Sequence, residues 1–402
     1  MVESNFHQSG FLPPSVPFET AFRRFLGNRH YKPQPQGDPA ARRAVAALDE
    51  NAGLLTDSEQ VILTASTSEA YLLIFTTLLR EKRRILLPAP GYPLFDYLSE
   101  QGGVEPSYYQ LSPTSHYKLR SRALPQGGPA GRVGAVAMVS PGNPTGHVME
   151  EQEIRRLCRF CRKQRIPLIA DEVFSDLLFD DAAFTKAAAL AEKEGVTVIT
   201  LNGISKLLAS PDLKLGWITV HGPEAEEYLE RLAFANDLLL GANSYIQNAL
   251  PELLESLGEF RREMAETIAG RREALIEAFA SIPGLELLPG EGGIYSTIRL
   301  GPEWSAVSPP QRQAEQSGGE SRTGRAEGGA PPAGEEGTGK RRFDDEEIAV
   351  SLLRDELVYL HPGYFYGGDE LGEEFLVVTH LSPEERIREG AQRIRRWAEP
   401  LL

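Results

Sequence analysis

The chain has 402 residues, of which 41% are hydrophobic and 25% are charged. This length exceeds the roughly 250–300 residues at which a single core usually stops growing, and the composition is that of an ordinary globular protein, so a peptide-like module and global disorder are excluded. The formal net charge of −15 argues against a protein that mainly binds nucleic acid or an anionic membrane surface.

The two cysteines, Cys158 and Cys161, favour a reducing compartment over a disulfide-stapled secreted domain. They lie in a helix-like stretch without a second cysteine pair, so we expect packing residues and no metal site. The N-terminus carries an acidic residue, and the longest apolar run, 71–79, is shorter than the ~18–20 residues that cross a bilayer. We therefore expect a soluble, cytoplasmic protein without membrane partners.

Between about residues 61 and 220, short apolar runs rich in β-formers alternate with helix-like stretches. Near-continuous apolar strands separated by helices predict a mostly parallel sheet covered on both faces, with ligands bound beyond the carboxyl ends of the strands. The predicted strands are 84–88, 133–140, 167–171, 196–202 and 214–221, and the predicted helices are 68–80, 150–164 and 223–234.

After residue 242 the pattern changes to long helices at 245–257 and 259–281, sparse strands and a last helix at 383–397. This pattern predicts a second, smaller α+β domain. Within it, 305–341 contains no Leu, Ile, Met, Phe, Tyr or Trp and predicts a disordered insertion at about 303–342. The expected division is 1–35 as the N-terminal part of the smaller domain, 36–245 as the large domain and 246–402 as the rest of the smaller one.

Two motifs in the first half follow predicted strands. Ser66, Thr67 and Ser68 lie at the start of a predicted helix, where their hydroxyls, the backbone N–H groups and the helix dipole favour a phosphate. The alternative is that a serine simply caps the helix. Tyr92, in the Pro-Ala-Pro-Gly-Tyr-Pro run at 88–93, places a ring at the mouth of the sheet. Such a ring can stack on a planar cofactor or serve as a lid of the core.

Three further motifs follow later strands. Asn143 lies in the Ser-Pro-Gly-Asn-Pro-Thr-Gly turn at 140–146, which would otherwise be a simple loop. Asp171 ends a buried strand, and its carboxylate is costly there unless it pairs with a cation such as a protonated ring nitrogen; a helix cap or an ion pair is the alternative. Lys206 follows the next strand, and a lysine in a partly desolvated cleft becomes a nucleophile, whereas most isolated lysines are solvated charges.

Taken together in this order, the five motifs resemble the class I/II aminotransferase family of the fold type I pyridoxal phosphate-dependent enzymes. The resemblance runs from about Tyr31 to the C-terminus apart from the insertion, and the spacings among Asn143, Asp171 and Lys206 also fit. It implies an α/β fold type I PLP-transferase: a mostly parallel sheet with helices on both faces, plus a smaller α+β domain built from the N- and C-terminal parts. It implies pyridoxal 5'-phosphate as the cofactor and no metal.

The resemblance also implies roles for individual residues. Lys206 would form a Schiff base with the cofactor and move the substrate Cα proton, Asp171 would keep the pyridine nitrogen protonated, and Asn143 would bond the phenolic oxygen. Tyr31 would reach the phosphate of a partner subunit, which implies a homodimer. The remaining cofactor-binding candidates are Ser66, Thr67, Ser68, Tyr92, Phe174, Ser205 and Lys214.

Some positions depart from the family pattern. Phe174 stands where the family usually has a tyrosine, so it cannot donate a hydrogen bond to the phenolic oxygen. Lys214 stands where the family has an arginine and Gly203 where serine is frequent, so we expect a looser grip on the phosphate. Before the Tyr31 motif, the N-terminal arm that helps close the cleft is expected to be short or missing. The run 291–295 either lines the substrate side of the cleft or forms a plain turn.

One departure bears directly on the substrate. Val377 stands where the family presents an arginine to the substrate α-carboxylate. Either another cation replaces it, such as His380, His361 or a nearby arginine, or the substrate is not a simple α-amino acid. The main hypothesis is an aminotransferase that moves an amino group between an amino acid or amine and a keto acid. A pyridoxal phosphate-dependent C–S or β-elimination lyase, a synthase, and a non-catalytic sensor on the same fold are the alternatives.

Overall fold

A computed structural model describes residues 1–29, 31–80, 84–125, 133–179, 182–302, 304, 344–368 and 372–401. Apart from residue 304, the predicted insertion at 303–342 lies outside the described residues. The described helices include none with the length and apolar character needed to cross a bilayer. Nor do the described residues hold three or more His, Cys, Asp or Glu side chains grouped so as to bind a metal ion.

Helices and strands alternate along most of the described chain. The helices are α1 (Ser15–Gly27), α2 (Pro39–Asn51), α3 (Thr67–Leu78), α4 (Phe95–Gln101), α5 (Glu151–Gln164), α6 (Ala191–Glu194), α7 (Ile204–Leu207), α8 (Ala225–Leu238), α9 (Ser244–Ser256), α10 (Gly258–Phe279), α11 (Asp345–Glu356) and α12 (Glu384–Ala398). The strands are β1 (Val61–Thr64), β2 (Arg84–Ala89), β3 (Glu105–Gln110), β4 (Ala135–Val139), β5 (Leu168–Asp171), β6 (Val198–Gly203), β7 (Gly216–His221), β8 (Leu285–Leu288), β9 (Tyr295–Leu300), β10 (His361–Pro362) and β11 (Phe375–Thr379).

The larger sheet has seven strands in the order β1-β7-β6-β5-β4-β2-β3. The pairs from β3 to β6 are parallel, as predicted, whereas β7 runs antiparallel to both of its neighbours. The connection from β6 to β7 contains only the short α7 and a loop, which is too little chain for a covering crossover helix, so β7 returns beside β6. The edge strand β3, which is largely polar and partly exposed, was missed by the sequence pattern.

Both faces of this sheet are covered by helices, which explains the continuous apolar strands. Met138 and Ala170 pack on one face in a cluster with the helical Cys158 and Cys161, while Ile169 packs on the opposite face with residues of α3. Both cysteines are free and buried, and burial raises the pKa of Cys158 to about 12. The expectation that they are packing residues is confirmed.

A second, antiparallel sheet has the order β10-β11-β9-β8. It packs against α10, α11 and α12, and the stacked rings of Trp304 and Trp397 lie in the same cluster. Residues 1–11 also join this side, because the Thr379 N–H donates to the Met1 carbonyl at 3.0 Å. The helix α1 instead packs against α9 beside the larger sheet, which differs from the expected grouping of 1–35 with the smaller domain. The boundaries at 35 and 245 stay a prediction.

Candidate functional site

A cavity of about 240 Å³ lies at the carboxyl ends of β4, β5 and β6. Its walls bring together side chains that are far apart in the sequence. They are Ser4, Thr67, Tyr92, Val139, Asn143, Asp171, Val173, Phe174, Gly203, Ser205, Lys206, Leu215 and Tyr295. Most of the predicted site residues are among them; Ser66, Ser68, Lys214 and Tyr31 are not.

Lys206 lies in the one-turn helix α7, directly after β6. Its Nζ is 5.3 Å from the ring centre of Phe6 and 5.8 Å from that of Phe174. Desolvation, followed by the nearby charge of Lys214, lowers the pKa of Lys206 to about 8. About half of the amine is therefore unprotonated and nucleophilic near pH 8, and about a tenth near pH 7.

Asp171 is the last residue of β5 and is buried. The Tyr71 hydroxyl donates to its Oδ2 at 3.1 Å, and the Val173 N–H donates to its Oδ1 at 3.3 Å. Burial outweighs these two hydrogen bonds and raises the pKa of Asp171 to about 6. A cation bound beside this carboxylate would favour its ionised form. The sequence pattern missed Tyr71, because a tyrosine in the apolar face of a helix gives no signal of its partner.

Asn143 lies in the turn after β4, where the Gly142 N–H donates to the His147 carbonyl at 2.9 Å. The Asn143 Oδ1 is buried and accepts no hydrogen bond from any residue that the structure describes. A buried polar atom without a partner costs about 1–3 kcal/mol. An amide oriented in this way at a cavity is suited to a hydrogen-bonding ligand.

The three adjacent hydroxyls at the start of α3 have different surroundings. Ser66 caps the helix, since its Oγ accepts the Glu69 N–H at 3.1 Å. Thr67 lines the cavity, and Ser68 lies close enough to Tyr92 to oppose the rise that burial causes in the pKa of its phenol. The helix-cap alternative therefore describes Ser66, whereas Thr67 faces the cavity at a helix N-terminus, where an anion is favoured.

Two glycines let backbone segments approach closely beside this helix start. A Cβ on Gly216 would lie 2.9 Å from the Ser66 carbonyl carbon, and one on Gly203 would lie 2.8 Å from the Leu215 carbonyl oxygen. Both separations are too short for an ordinary side chain. The glycine at 203, where the family often has serine, therefore matches the tight packing of β6 against β7.

Sequence reasoning missed the contribution of the N-terminal residues. The exposed Ser4 lines the cavity near Tyr295, while Phe6 is fully buried next to Lys206. Of the expectation that the N-terminal arm is short or missing, the second part is wrong, because Ser4 and Phe6 lie at the cavity. The apolar residues Phe6 and Phe11 in an otherwise polar stretch were the available signal.

Tyr295, at the start of β9, settles the alternatives for the 291–295 run, since it forms part of the cavity wall. Burial raises the pKa of Tyr295 to about 12, so the phenol is neutral and can donate a hydrogen bond. Val377 is fully buried in the same apolar cluster as Tyr295, Phe6 and Phe174. This part of the wall is therefore apolar.

The cations expected to replace an arginine at position 377 lie elsewhere. His380 is fully buried, burial lowers its pKa to about 3, and it hydrogen-bonds the Ser296 hydroxyl at 2.7 Å, so it carries no charge. Burial also lowers the pKa of His361, which contacts the Tyr366 hydroxyl at 3.0 Å. Neither histidine lines the cavity.

The two nearby arginines bind backbone carbonyls, Arg271 that of Leu381 and Arg272 that of Gly290. Both carbonyls lie outside the cavity lining, as do the arginines themselves. Among the cavity-lining residues that the structure describes, Lys206 is therefore the one with a basic side chain. Lys214 does not line the cavity, but its charge is near enough to lower the pKa of Lys206.

Tyr31 lies at a different place. It is 75% exposed and lines a second cavity of about 360 Å³ together with Leu240. The adjacent end of α8 carries further exposed leucines, Leu238 and Leu239. Within a single copy of the chain, Tyr31 does not join the residues around Lys206.

Comparisons with known proteins agree with this geometry. The family model described as "Aminotransferase class I and II" matches residues 21–394. The chain is 27% identical over 279 residues to tyrosine aminotransferase of Dictyostelium discoideum (67% of this chain, 66% of the relative) and 30% identical over 220 residues to the S-alkyl-thiohydroximate lyase of Arabidopsis thaliana (54% of this chain, 47% of the relative). The alignments span 54% to 66% of the length of the first four curated relatives, all tyrosine aminotransferases.

The solved structure of an alanine aminotransferase from Pyrococcus furiosus superposes with a TM-score of 0.80 at 21% identity, covering 99% of this chain and 91% of that one. At this level of identity the likeness establishes the fold. The expected architecture, a mostly parallel sheet with helices on both faces and a smaller α+β part, is confirmed.

The proximity of Lys214 to Lys206 generates a test on the protein without added cofactor. Lys214→Met should raise the pKa of Lys206 above about 8, because it removes a like charge. The measurement is the pH dependence of Lys206 acylation by an amine-specific reagent, followed by peptide mass spectrometry. The exposed Lys193→Met is the control and should leave the midpoint unchanged. A wild-type midpoint near 10.5, the ordinary value, would contradict the analysis.

Proposed function

Because the chain belongs to the class I and II aminotransferase family, we propose that it is a pyridoxal phosphate-dependent aminotransferase. It would move an amino group between an amino acid or amine and a keto acid. The observation that carries the proposal is the meeting of Lys206, Asp171 and Asn143 in one cavity at the carboxyl ends of adjacent strands.

The cavity residues fit pyridoxal phosphate. The buried Asn143 Oδ1 without a partner among the described residues, the desolvated Lys206 amine and the buried Asp171 carboxylate supply the polar groups that its ring requires. Thr67 at the start of α3, together with Ser205 and the charge of Lys214, supplies the groups that a phosphate requires. When bound, the cofactor draws electrons from the substrate Cα and makes its proton removable.

The residues of this chain then have separate tasks. Lys206 would hold the cofactor through Nζ and would accept and return the proton at the substrate Cα. Asp171 would pair with a protonated ring nitrogen, and Tyr71 fixes the orientation of its carboxylate through the 3.1 Å hydrogen bond. Tyr92 provides an aromatic face, and Phe174 provides only apolar contact because its ring has no hydroxyl.

The substrate side of the cavity favours an apolar group. Phe174 and Tyr295 of the cavity wall share an apolar cluster with Phe6 and Val377, which do not line the cavity. Valine at 377 also excludes a bidentate arginine–carboxylate pair at that position. The names of the relatives, tyrosine aminotransferases, agree with a large apolar or aromatic donor. We propose such a donor, with its carboxylate held less strongly than by an arginine.

The lyase is the second candidate, and the same observation at Val377 favours it. The bond that breaks depends on which Cα substituent is held perpendicular to the cofactor ring, and a weak grip on the carboxylate leaves that choice to the rest of the cavity. One relative, 30% identical over 220 residues, is named a lyase. A binding-only sensor is the third possibility, which turnover of any substrate would exclude.

A second copy of the chain is the proposed partner. Phe234, Leu238, Leu239 and Leu240 of the α8 end and Tyr31 are large apolar side chains that lie exposed in a single copy. Grouped exposed apolar residues mark interaction surfaces. In a homodimer this surface would be buried, and Tyr31 would be free to reach the phosphate end of the partner's cavity.

The free, buried cysteines are consistent with the proposed cytoplasmic location.

Titration with pyridoxal phosphate tests the cofactor assignment. The wild-type protein should develop a visible absorption band that Lys206→Ala lacks, because the alanine has no amine to attach the cofactor. Absorption spectra at increasing cofactor concentration measure it, with Lys193→Met as the control that keeps the band. An unchanged band in Lys206→Ala would contradict the role of this lysine.

Product analysis separates the two activities. An aminotransferase should convert the bound cofactor to its amine form stoichiometrically with a large apolar amino acid and release the corresponding keto acid. A lyase should release pyruvate and ammonia from a β-substituted amino acid. Val377 has no guanidinium that could hold a carboxylate through two hydrogen bonds. The kcat/KM of an amine such as tyramine should therefore lie within about tenfold of that of tyrosine, which corresponds to a difference of roughly 1.4 kcal/mol in free energy. Strict dependence on the carboxylate would contradict the proposed donor.

Replacement of an exposed leucine tests the dimer. Leu239→Lys should shift the protein from dimer to monomer in analytical ultracentrifugation, because it places a charge in the proposed apolar interface. Leu55→Lys, at another exposed leucine outside this surface, is the matched control. A wild-type protein that sediments as a monomer would overturn the proposal.

A further inference from the structure

One buried histidine outside the cavity lies between two segments that form the cavity walls. His147 is four residues after Asn143, and it is only 5% exposed. Its Nδ1 is 3.0 Å from the Glu291 Oε2, and its Nε2 is 3.0 Å from the Glu153 Oε2. Glu153 belongs to α5 on the larger sheet, whereas Glu291 precedes β9 of the second sheet. The imidazole therefore bridges the two sheets of the molecule.

The backbone joins the same two segments. The N–H groups of Glu291 and Gly292 donate to the Gly146 carbonyl at 2.9 and 3.0 Å. A Cβ on Gly146 would lie 2.4 Å from the Gly290 Cα, so the two turns touch without room for a side chain. The Glu291 Oε2 also accepts the Val148 N–H at 3.1 Å. The junction is thus closed by both main-chain and side-chain contacts.

Each side of this junction leads directly to the cavity. On one side, the Gly142 N–H donates to the His147 carbonyl at 2.9 Å, which closes the turn that carries Asn143. On the other side, Tyr295 follows Glu291 by four residues and forms part of the cavity wall. A displacement of His147 would therefore change the separation between Asn143 and Tyr295.

We propose that His147 is a positioning residue that holds the Asn143 turn and the 291–295 segment in fixed register across the cavity. It acts through these segments, since it does not itself line the cavity. The inference rests on the proposed function only for its kinetic consequence; the coupling of the two segments is a property of the chain itself.

The charges around His147 support an ionic link. Burial alone would lower its pKa, but the hydrogen bonds and charges of Glu153 and Glu291 outweigh burial and raise the pKa to about 9. The other charged pair nearby is Lys118–Glu150, and Lys118 interacts with both carboxylates. Because the folded-state pKa is raised, the link is complete below the unfolded value of 6.5 and is lost as the pH rises through about 9.

Two amide substitutions separate positioning from simple loss of a buried histidine. Asparagine places its amide near the former Nδ1 and can keep the contact with Glu291, whereas glutamine reaches the former Nε2 and can keep only the contact with Glu153. If His147 positions the second wall, His147→Gln should disturb the cavity more than His147→Asn. If only the contact of His147 with Glu153 of α5 matters, His147→Asn should disturb the cavity more than His147→Gln. His221→Asn is the matched control, since His221 is buried with its own partner, Thr56, at 3.1 Å.

Hydrogen exchange of the wild type and variants, without and with pyridoxal phosphate, gives a readout that needs no activity. In His147→Gln, peptides covering 140–149 and 290–295 should lose protection together, and those covering β5 should not. Loss confined to 140–149, or equal loss in both amide variants, would overturn the proposal. Should His147→Gln not fold, Glu291→Ala removes the same contact from a half-exposed side chain, together with the contact to the Val148 N–H, and should likewise lower protection in both 140–149 and 290–295.

Kinetics with a reacting amino donor complete the test. His147→Gln should raise KM and the cofactor dissociation constant about fivefold or more while kcat changes less than about twofold. Glu291→Ala should have a smaller effect in the His147→Gln variant than in the wild type, because the contact between the two side chains is already lost there and only the contact with the Val148 N–H remains to be removed. Effects that multiply in the double variant would overturn the coupling. If no donor reacts with any variant, the proposed function fails, and hydrogen exchange still decides this inference.

Discussion

Desolvation at one edge of a parallel sheet is the physical constraint on which this molecule depends. The same cause, burial, lowers the pKa of Lys206 to about 8 and raises that of Asp171 to about 6. Each shift moves a group toward its neutral form, because low-dielectric surroundings penalise either charge. A ligand that pairs with the carboxylate and reacts with the amine relieves both costs, which is why the cavity suits a cationic heterocycle that bears an aldehyde.

The backbone brings these groups together by tight packing that only glycine permits. Because Gly203 and Gly216 have no side chains, the end of β6 and the start of α3 can both pack directly against the backbone at the start of β7. This places the helix N-terminus, the Thr67 hydroxyl and the lysine turn around one small volume. Because β7 runs antiparallel to β6 after a short connection, Lys214 also stays near Lys206.

The second sheet and the N-terminal residues complete the cavity. Tyr295 lines the cavity and packs in one apolar cluster with Phe6 and Val377, and the contacts of His147 with Glu153 and Glu291 join the Tyr295 segment to the segment that carries Asn143. Residues 1–11 and the second sheet therefore complete a cavity whose other walls come from the larger sheet and from the helices and turns that follow its strands.

The parallel sheet and the strand-end position of Asp171 could be predicted from the sequence, and Lys206 and Asn143 could be proposed as site residues, because strand-to-helix alternation and short motifs are local patterns. It also led to the family, which the match over residues 21–394 established. Local patterns carry no record of contacts between distant segments, so Tyr71 beside Asp171, Ser4 beside Tyr295 and His147 between two carboxylates were decided by the tertiary structure. Such pairs form only when packing removes water from both partners, and that depends on where the whole chain folds back on itself.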